Sequence, residues 1–265
     1  MLPGHERLEA VVGAWGSVVV GFSGGADSAL LAHVATATLG KDKVACVTAV
    51  SPSLAPEELA DCRALAAEWD LDWRPVNTSE LDNPSYASNG SDRCYHCKAE
   101  LMSALEPVAT TMGARIALGV NLDDLGDHRP GQQAAAERGA VFPFVEAALT
   151  KADVREISRA LGLRTADKPA AACLASRLPY GTPVSIGVLE GVAAAESGLK
   201  RLGFAAVRVR HYGDLARVEV PLGELERLLE QRSAVVDAVQ SAGYRYVTVD
   251  FEGLRSGNLN AALTP

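Results

Sequence analysis

A short apolar run, Ser17-Val-Val-Val-Gly-Phe22, leads directly into the polar hexapeptide Ser23-Gly-Gly-Ala-Asp-Ser28, and then into an Ala- and Leu-rich stretch from Ala29 to Leu39. The first segment reads as a buried strand, the last as a helix, and the hexapeptide as the tight loop joining them. Strand, glycine-rich loop and helix in that order open an α/β domain. The adjacent glycines Gly24 and Gly25 let backbone N–H groups approach an anion without Cβ interference. The helix N-terminus that follows adds partial positive charge, and Ser23 and Ser28 carry hydroxyl donors. Asp27 has the wrong charge for a phosphate, which directs it to the loop backbone or to Mg²⁺. A glycine-rich turn after a strand is common on its own; here the strand, the doublet, the acid and the two serines agree. The spacing is neither the Gly-x4-Gly-Lys-Ser/Thr loop nor the Gly-x-Gly-x2-Gly dinucleotide turn.

The alternation continues downstream. Strands are expected at Val44 to Val50, Trp73 to Val76 and Arg115 to Val120, and helices at Pro56 to Trp69, Gln132 to Arg138 and Lys151 to Leu161. Strands alternating with helices imply a parallel sheet. Thr150 and Asp153 are capping candidates for the Lys151 helix. Glu80 to Asp92 is polar, with turn signals at Asn83-Pro84 and Asn89-Gly90, and reads either as a mobile active-site loop or as a surface excursion. Arg164 to Pro183 reads as an ordered loop between domains. Beyond it the rhythm changes: helix from Ser185 to Arg201, strands at Ala206 to Arg210 and Ala216 to Val220, helix from Glu224 to Ala242, and a strand at Tyr246 to Asp250. The expected architecture is an α/β domain with a parallel sheet over residues 1–167 and a small α+β domain over 168–265.

Bulk properties narrow the function classes. A hydrophobic fraction of 48% with 22% charged residues is that of a soluble globular chain. The formal net charge of −8 argues against a general nucleic-acid binder, although a local basic pocket needs only a few arginines. The N-terminus shows no signal-peptide pattern and no apolar run is of membrane-spanning length, so a cytoplasmic location is expected.

Five cysteines, Cys46, Cys62, Cys94, Cys97 and Cys173, are an odd number in a chain of this size, which favours metal or catalytic use over a disulfide framework. Cys94 and Cys97, in Arg93-Cys-Tyr-His-Cys-Lys98, stand at i and i+3 and share one side of a helix or tight turn. Cys173 lies far downstream in Cys173-Leu-Ala-Ser176-Arg177. Three thiolates can hold an iron–sulfur cluster with one iron open. They can also join a zinc site, with His96 as a possible fourth ligand. The remaining reading is unrelated thiols. Cys46 lies within Val-Ala-Cys-Val-Thr and Cys62 within an expected helix, and both read as packing residues.

The Ser-Gly-Gly-x-Asp-Ser loop resembles the PP-loop of ATP pyrophosphatases, which cleave ATP between the α and β phosphates and adenylate a substrate. In that superfamily the residues after the second strand, near Ser51 here, approach the adenine. Taken with Arg93-Cys-Tyr-His-Cys-Lys98, Asn121-Leu-Asp-Asp124-Leu-Gly-Asp127-His-Arg-Pro-Gly131, Cys173-Leu-Ala-Ser-Arg177-Leu-Pro-Tyr-Gly, Arg208-Val-Arg210 and Gly253-Leu-Arg255-Ser-Gly257, the chain resembles the LarE sulfur transferases over nearly its whole length.

That resemblance implies adenylation, with ATP and Mg²⁺, of the carboxylates of pyridinium-3,5-biscarboxylic acid mononucleotide. Conversion to thiocarboxylates then serves nickel-pincer nucleotide biosynthesis. In one branch of the family a single cysteine, matching Cys173, gives up its sulfur. In another, three cysteines hold a 4Fe–4S cluster whose open iron carries a sulfide, and Cys94 and Cys97 align this chain with that branch. The resemblance assigns ATP phosphates to Ser23, Gly24, Gly25, Asp27 and Ser28, and help in adenylation to Lys98. Asp123, Asp124 and Asp127 match an acidic loop near ATP and metal, or equally a turn capping the next helix. Ser176, Arg177, Arg208, Arg210 and Arg255 are candidates for the substrate phosphate and carboxylates, which a guanidinium fork matches. Glu196 could approach metal or substrate, but is expected on an exposed helix face. A small nucleotide substrate, a sulfide or other sulfur donor, and a homo-oligomer complete the expected partners.

Three other functions fit parts of the pattern. An iron–sulfur tRNA thiolase would need a basic surface. A PP-loop amidotransferase of the NAD- or GMP-synthetase type would leave Cys94 and Cys97 idle. A non-enzymatic ATP-binding module with structural zinc would release no pyrophosphate.

Overall fold

The computed structural model describes residues 2–126, 130–169 and 171–255. The chain divides into two compact units. The first comprises Met1–Ser51, Pro56–Glu80 and Cys94–Ala171; the second comprises Pro52–Ala55, Leu81–Arg93 and Ala172–Pro265.

The first unit begins with α1 (Pro3–Gly13), β1 (Val18–Gly21), α2 (Ala26–Leu39), β2 (Val44–Val50), α3 (Pro56–Glu68) and β3 (Trp73–Asn77). The chain re-enters this unit at the start of a helix spanning Arg93–Met112, called α5 below because a short helix of the second unit precedes it. Then come β4 (Arg115–Ala117), α6 (Pro130–Glu137), α7 (Pro143–Glu146) and α8 (Lys151–Ala160). The four strands form a wholly parallel sheet in the order β3-β2-β1-β4. Both faces are covered, as a parallel sheet requires. Val18, Val20, Val44 and Cys46 belong to a core with Leu8, Val12, Leu30, Leu31 and Ile157, while their neighbours Val19, Ala45 and Val47 join Met102, Leu105 and Ala109 of α5.

Helix α2 is buried on nearly every side, through Ala29, Leu30, Leu31, Ala32, Val34 and Ala35, which explains why its sequence carries no polar stripe. Helix α1 was not anticipated; Leu8 and Val12, four residues apart, bury its inner face. Helix α8 carries a complete capping box, with the Thr150 side chain accepting from the Asp153 amide and the Asp153 carboxylate accepting from the Thr150 amide.

Strand order sets where a ligand can bind. The chain steps outward from β1 to β2 to β3, then β4 returns to the other side of β1. The loops leaving β1 and β4 therefore diverge, and the crevice at such a switch point is the usual ligand position of an open parallel sheet. The Ser23–Ser28 loop leaves β1 at that point.

The second unit contains α4 (Pro84–Ala87), α9 (Ile186–Arg201), β5 (Arg208–Tyr212), β6 (Leu215–Glu219), α10 (Leu225–Glu230), α11 (Arg232–Gln240) and β7 (Tyr246–Val249). Its small sheet is mixed, in the order β5-β6-β7, with β5 and β6 antiparallel and β6 and β7 parallel. Phe204, Val209, Ala216, Val218 and Val220 form the core with Leu199 of α9 and Val235 and Val239 of α11. The helix expected from Glu224 to Ala242 is two helices meeting at Gln231, which caps the first and precedes the second.

The polar stretch Glu80 to Asp92, for which a mobile loop or a surface excursion was expected, is tied down at several points. Asn83 caps α4 by accepting from the Ser85 amide at 3.0 Å. Tyr86 and Asn89 are buried. The Asn89 side-chain amide donates to the Pro179 carbonyl at 2.8 Å, and the Gly181 amide donates to the Asn89 carbonyl at 3.0 Å. Asparagine tolerates the left-handed backbone, φ 57°, that Asn89 adopts.

Candidate functional site

The loop after β1 is built around Ser28. Its hydroxyl accepts from the Ser23 amide at 3.1 Å, lies 3.1 Å from the Ser23 hydroxyl, and donates to the Gly25 carbonyl at 3.3 Å. Ser23 is exposed, whereas Ser28 is buried at the start of α2. Gly24 has φ +66°, and a Cβ there would stand 3.0 Å from Cys62 Sγ; both facts restrict the position to glycine. The loop thus folds onto the N-terminal end of α2, where a helix presents its partial positive charge.

The segment leaving β4 closes on this loop. A Cβ at Gly119 would lie 3.0 Å from the Asp27 backbone and from the Ser28 nitrogen, so only glycine lets the two segments touch. Two residues on, Asn121 Nδ2 donates to Asp27 Oδ1 at 3.2 Å. The other Asp27 oxygen accepts from Lys151 Nζ at 2.5 Å. Asp27, expected to turn to the loop backbone or Mg²⁺, is held by two side chains.

The acidic segment is engaged locally. Asp124 Oδ2 accepts from the Asn121 amide at 3.1 Å, and Asp123 Oδ2 accepts from the Lys151 amide at 2.8 Å. Asp123 therefore caps α8, not the helix next in sequence, while its own amide donates to Asn121 Oδ1 at 3.1 Å. Asp127 lies outside the described residues.

A second lysine braces the loop from beneath. Lys168 Nζ donates to the Gly24 carbonyl at 3.1 Å and pairs with Asp61 at 2.6 Å and Glu58 at 2.7 Å. Burial works against its charge, but the two carboxylates outweigh it and the ammonium pKa is raised. Burial also opposes ionisation of Asp61, yet Lys168 and Arg164 hold its carboxyl below the usual range.

Cys94 and Cys97 lie on the first two turns of α5 in the first unit, Cys94 exposed and Cys97 partly so. Lys98 follows them, half-buried. Cys173 belongs to the second unit and is also partly exposed, just before the 3₁₀ turn Leu174–Arg177. Cys46 and Cys62 are buried, and burial pushes their thiols up to about 12 and about 11; they are packing residues, as expected. Among the described residues no group of three His, Cys, Asp or Glu side chains is gathered for a metal.

In the second unit the arginines divide by their partners. Arg177 pairs with Glu196 at 2.7 Å, and Arg210 with Glu219 at 2.9 Å, all four being buried. Glu196 is thus not on an exposed helix face: it is 3% exposed and its Oε1 also accepts from the Val209 amide at 3.0 Å. Helix α9 presents it to β5, and a buried carboxylate there is stable because a guanidinium meets it. Ser176 lies in the same cluster, its carbonyl accepting from Arg210 at 2.7 Å and its hydroxyl from Arg177 at 3.0 Å. Arg208, half-buried on β5, donates to the Arg255 carbonyl at 3.1 Å. Burial and the nearby Arg177 and Arg210 charges lower its pKa. Arg255 itself is exposed and pairs with Glu252 at 2.5 Å.

Sequence reasoning passed over Lys151, Lys168 and Glu219. A lysine directly after a capping threonine signals a helix start, and nothing local announces that its ammonium reaches a residue 124 positions away.

Comparison with known proteins agrees with this geometry. The NAD synthase family model matches residues 8–100, the span holding the β1 loop. The chain is 45% identical over 98% of its length to an uncharacterized protein of Synechocystis sp. PCC 6803, covering 97% of that protein. It is 25% identical over 90% of its length to an uncharacterized protein of Methanocaldococcus jannaschii, covering 91% of it. With pyridinium-3,5-bisthiocarboxylic acid mononucleotide synthase of Lactiplantibacillus plantarum it shares 38% identity over 93% of this chain and 90% of the relative. A parallel sheet with a PP-loop at its switch point, continued by a small mixed-sheet unit and matched over nearly its whole length by that synthase, makes this chain a member of the LarE family of ATP-dependent sulfur transferases.

Proposed function

We propose that the chain thiolates the carboxylates of pyridinium-3,5-biscarboxylic acid mononucleotide on the route to the nickel-pincer nucleotide. The observation that carries this reading is the 38% identity, over nearly the full length of both chains, to a synthase named for the bisthiocarboxylic product. In the activating step a substrate carboxylate oxygen attacks the α-phosphorus of Mg²⁺-bound ATP and pyrophosphate departs. Attack of a sulfide on the acyl-adenylate then expels AMP and leaves the thiocarboxylate. AMP is needed because a carboxylate oxygen is otherwise a poor leaving group.

Residues of the first unit supply the activating part. The Ser23–Ser28 loop receives the phosphates, Lys98 supplies positive charge for adenylation, and Asp123, Asp124 and Asp127 are the candidates for Mg²⁺, Asp27 being paired with Lys151. In the second unit Arg208 and Arg255 are the candidate anchors for the substrate's anionic groups.

The sulfur route we favour uses a 4Fe–4S cluster held by Cys94, Cys97 and Cys173. Thiol accessibility supports this choice. Of the five thiols, these three are accessible, whereas the other two are buried with raised pKa values, and thiolate is the form that binds iron. When bound, such a cluster would supply sulfide to the activated carboxyl. No described helix is long and apolar enough to cross a membrane, and we propose a homo-oligomeric enzyme of the cytoplasm.

Anaerobic reconstitution with iron and sulfide, followed by ATP, Mg²⁺ and the biscarboxylate nucleotide, tests the proposal. Mass spectrometry should show a gain of 16 Da for each oxygen replaced by sulfur, roughly the mass difference of the two atoms, with pyrophosphate released in step. Alanine at Cys94, Cys97 or Cys173 should abolish multiple turnover while pyrophosphate release persists. Undiminished multiple turnover by the Cys94→Ala protein would remove the shared cluster.

A further inference from the structure

The three nitrogens of the Arg177 guanidinium all find partners in the second unit. Nε and Nη2 donate to the two Glu196 oxygens at 2.7 and 3.1 Å. Nη1 donates to the Ala172 carbonyl at 2.9 Å, to the Cys173 carbonyl at 3.3 Å and to the Ser176 hydroxyl at 3.0 Å. One fork therefore grips a buried carboxylate, and the remaining nitrogen grips the backbone on either side of the Cys173 α-carbon. The Arg177 side chain is 8% exposed and that of Glu196 4%. Arg210 adds a donation to the Ser176 carbonyl at 2.7 Å. The Leu174 amide donates to the Ser53 carbonyl at 2.8 Å.

We infer that Arg177, oriented by Glu196, is a positioning residue that fixes Cys173, and that it does not serve as a substrate anchor. The turn after Cys173 is packed through Leu174 and Ala175, whereas Cys173 itself is only partly buried. The Ser176 amide donates to the Cys173 carbonyl at 2.9 Å within the turn, and the Arg177 guanidinium adds a bond to that carbonyl and one to the Ala172 carbonyl before it. A planar, permanently charged guanidinium, with Glu196 fixing its plane from α9, sets the direction in which the thiol points. A lysine cannot do the same, because an ammonium cannot hold a bidentate carboxylate and two carbonyls in one plane. Arg177 already pairs with a buried carboxylate, so an anionic substrate would have to displace Glu196 and leave that carboxylate buried without its charge partner, which is costly.

The importance of Cys173 for turnover rests on the sulfur-transfer reading above; the clamp is a statement about the thiol's environment and is tested without turnover. The probe is iodoacetamide, with labelling of each cysteine followed by mass spectrometry in the full-length chain. The proteins compared are the unaltered chain, Arg177→Lys and Glu196→Gln. The molecule carries its own controls. Cys46 and Cys62 are buried and label only if the fold opens, and Cys94 and Cys97 lie in the other unit.

The expected result is a change of about tenfold or more in the Cys173 labelling rate in both variants, the scale of losing a charge-assisted hydrogen bond. Cys46 and Cys62 should stay unlabelled and the Cys94 and Cys97 rates should hold. If Arg177→Lys unfolds and labels Cys46, the near-isosteric Glu196→Gln decides. A Cys173 rate within twofold of the unaltered chain in a folded variant overturns the clamp. With the biscarboxylate nucleotide, the clamp predicts a lower kcat at little-changed KM. A raised KM with unchanged Cys173 labelling would instead make Arg177 a substrate anchor. Full turnover by the Cys173→Ala protein, alongside altered labelling in the Arg177 variant, would overturn the sulfur route and leave the clamp standing.

Discussion

Lys151 Nζ lies 2.5 Å from Asp27 Oδ2, so the one carboxylate in the phosphate loop is neutralised by a lysine from the first residue of α8. Without that ammonium, Asp27 would present uncompensated negative charge to an incoming polyphosphate. Lys151→Met should therefore weaken Mg·ATP binding about tenfold or more, measured by calorimetry. Asp27→Asn should recover part of the loss in the double variant, since the two residues share one interaction. Unchanged ATP affinity in Lys151→Met would separate this pair from nucleotide binding.

The two loop glycines should respond differently to alanine. Gly24 is in the left-handed region, with Cys62 Sγ 3.0 Å from where a Cβ would sit; at Gly25 the nearest atom is Ser23 Oγ at 3.6 Å, and its φ of −77° suits any residue. Gly24→Ala should cost about 1–3 kcal/mol of folding stability. Gly25→Ala should change stability by only about 0.5 kcal/mol, as surface changes do, while weakening nucleotide binding. Chemical denaturation and ATP titration of the two proteins check both statements. Equal stability losses would refute the contrast.

The parallel sheet and its phosphate loop were legible because the signals are local: valine runs of strand length, a glycine doublet, and helices starting at Pro56 and at the Thr150 capping box. Pairing of distant charges was not. Nothing near Glu196 says that Arg177 faces it, and an isolated glutamate on a helix is ordinarily solvated. Likewise Lys151 and Lys168 read as surface lysines until the chain folds α8 and the loop after it over the β1 turn. The cysteines were recognisable as a set through resemblance, since spacing alone relates Cys94 to Cys97 but says nothing of Cys173.

Arg208 and Arg210 lie two apart on β5 yet should behave as different kinds of residue. Arg210 forks onto Glu219, which is 0% exposed and also meets Arg217 at 3.1 Å. Arg210→Met should destabilise the chain by about 3 kcal/mol by weakening the compensation of a buried carboxylate, with Glu219→Gln restoring part of it. Arg208→Met removes a guanidinium that burial and like charges already disfavour. It should leave folding stability nearly unchanged and raise KM for the nucleotide substrate. Denaturant midpoints and KM values together distinguish the two; a large stability loss at Arg208 would contradict the assignment.

His211 on β5 gives the second unit a pH dependence of known sign. Burial lowers its pKa from the ordinary 6.5, and its Nδ1 lies 3.2 Å from the Tyr244 hydroxyl. The folded chain thus resists a proton that the unfolded chain accepts. Stability is complete above about 6.5 and declines as pH falls from there through the folded pKa. His33 in the first unit is lowered as well, first by burial and then by His5, so it contributes in the same direction. His211→Gln should flatten the stability profile below pH 6.5 without abolishing its slope, and adding His33→Gln should flatten it further. Urea midpoints of the single and double variants between about pH 5 and pH 7.5, the range bracketing an ordinary histidine, measure this. A His211→Gln profile as steep as that of the unaltered chain would show that the His211 proton is not resisted by the fold.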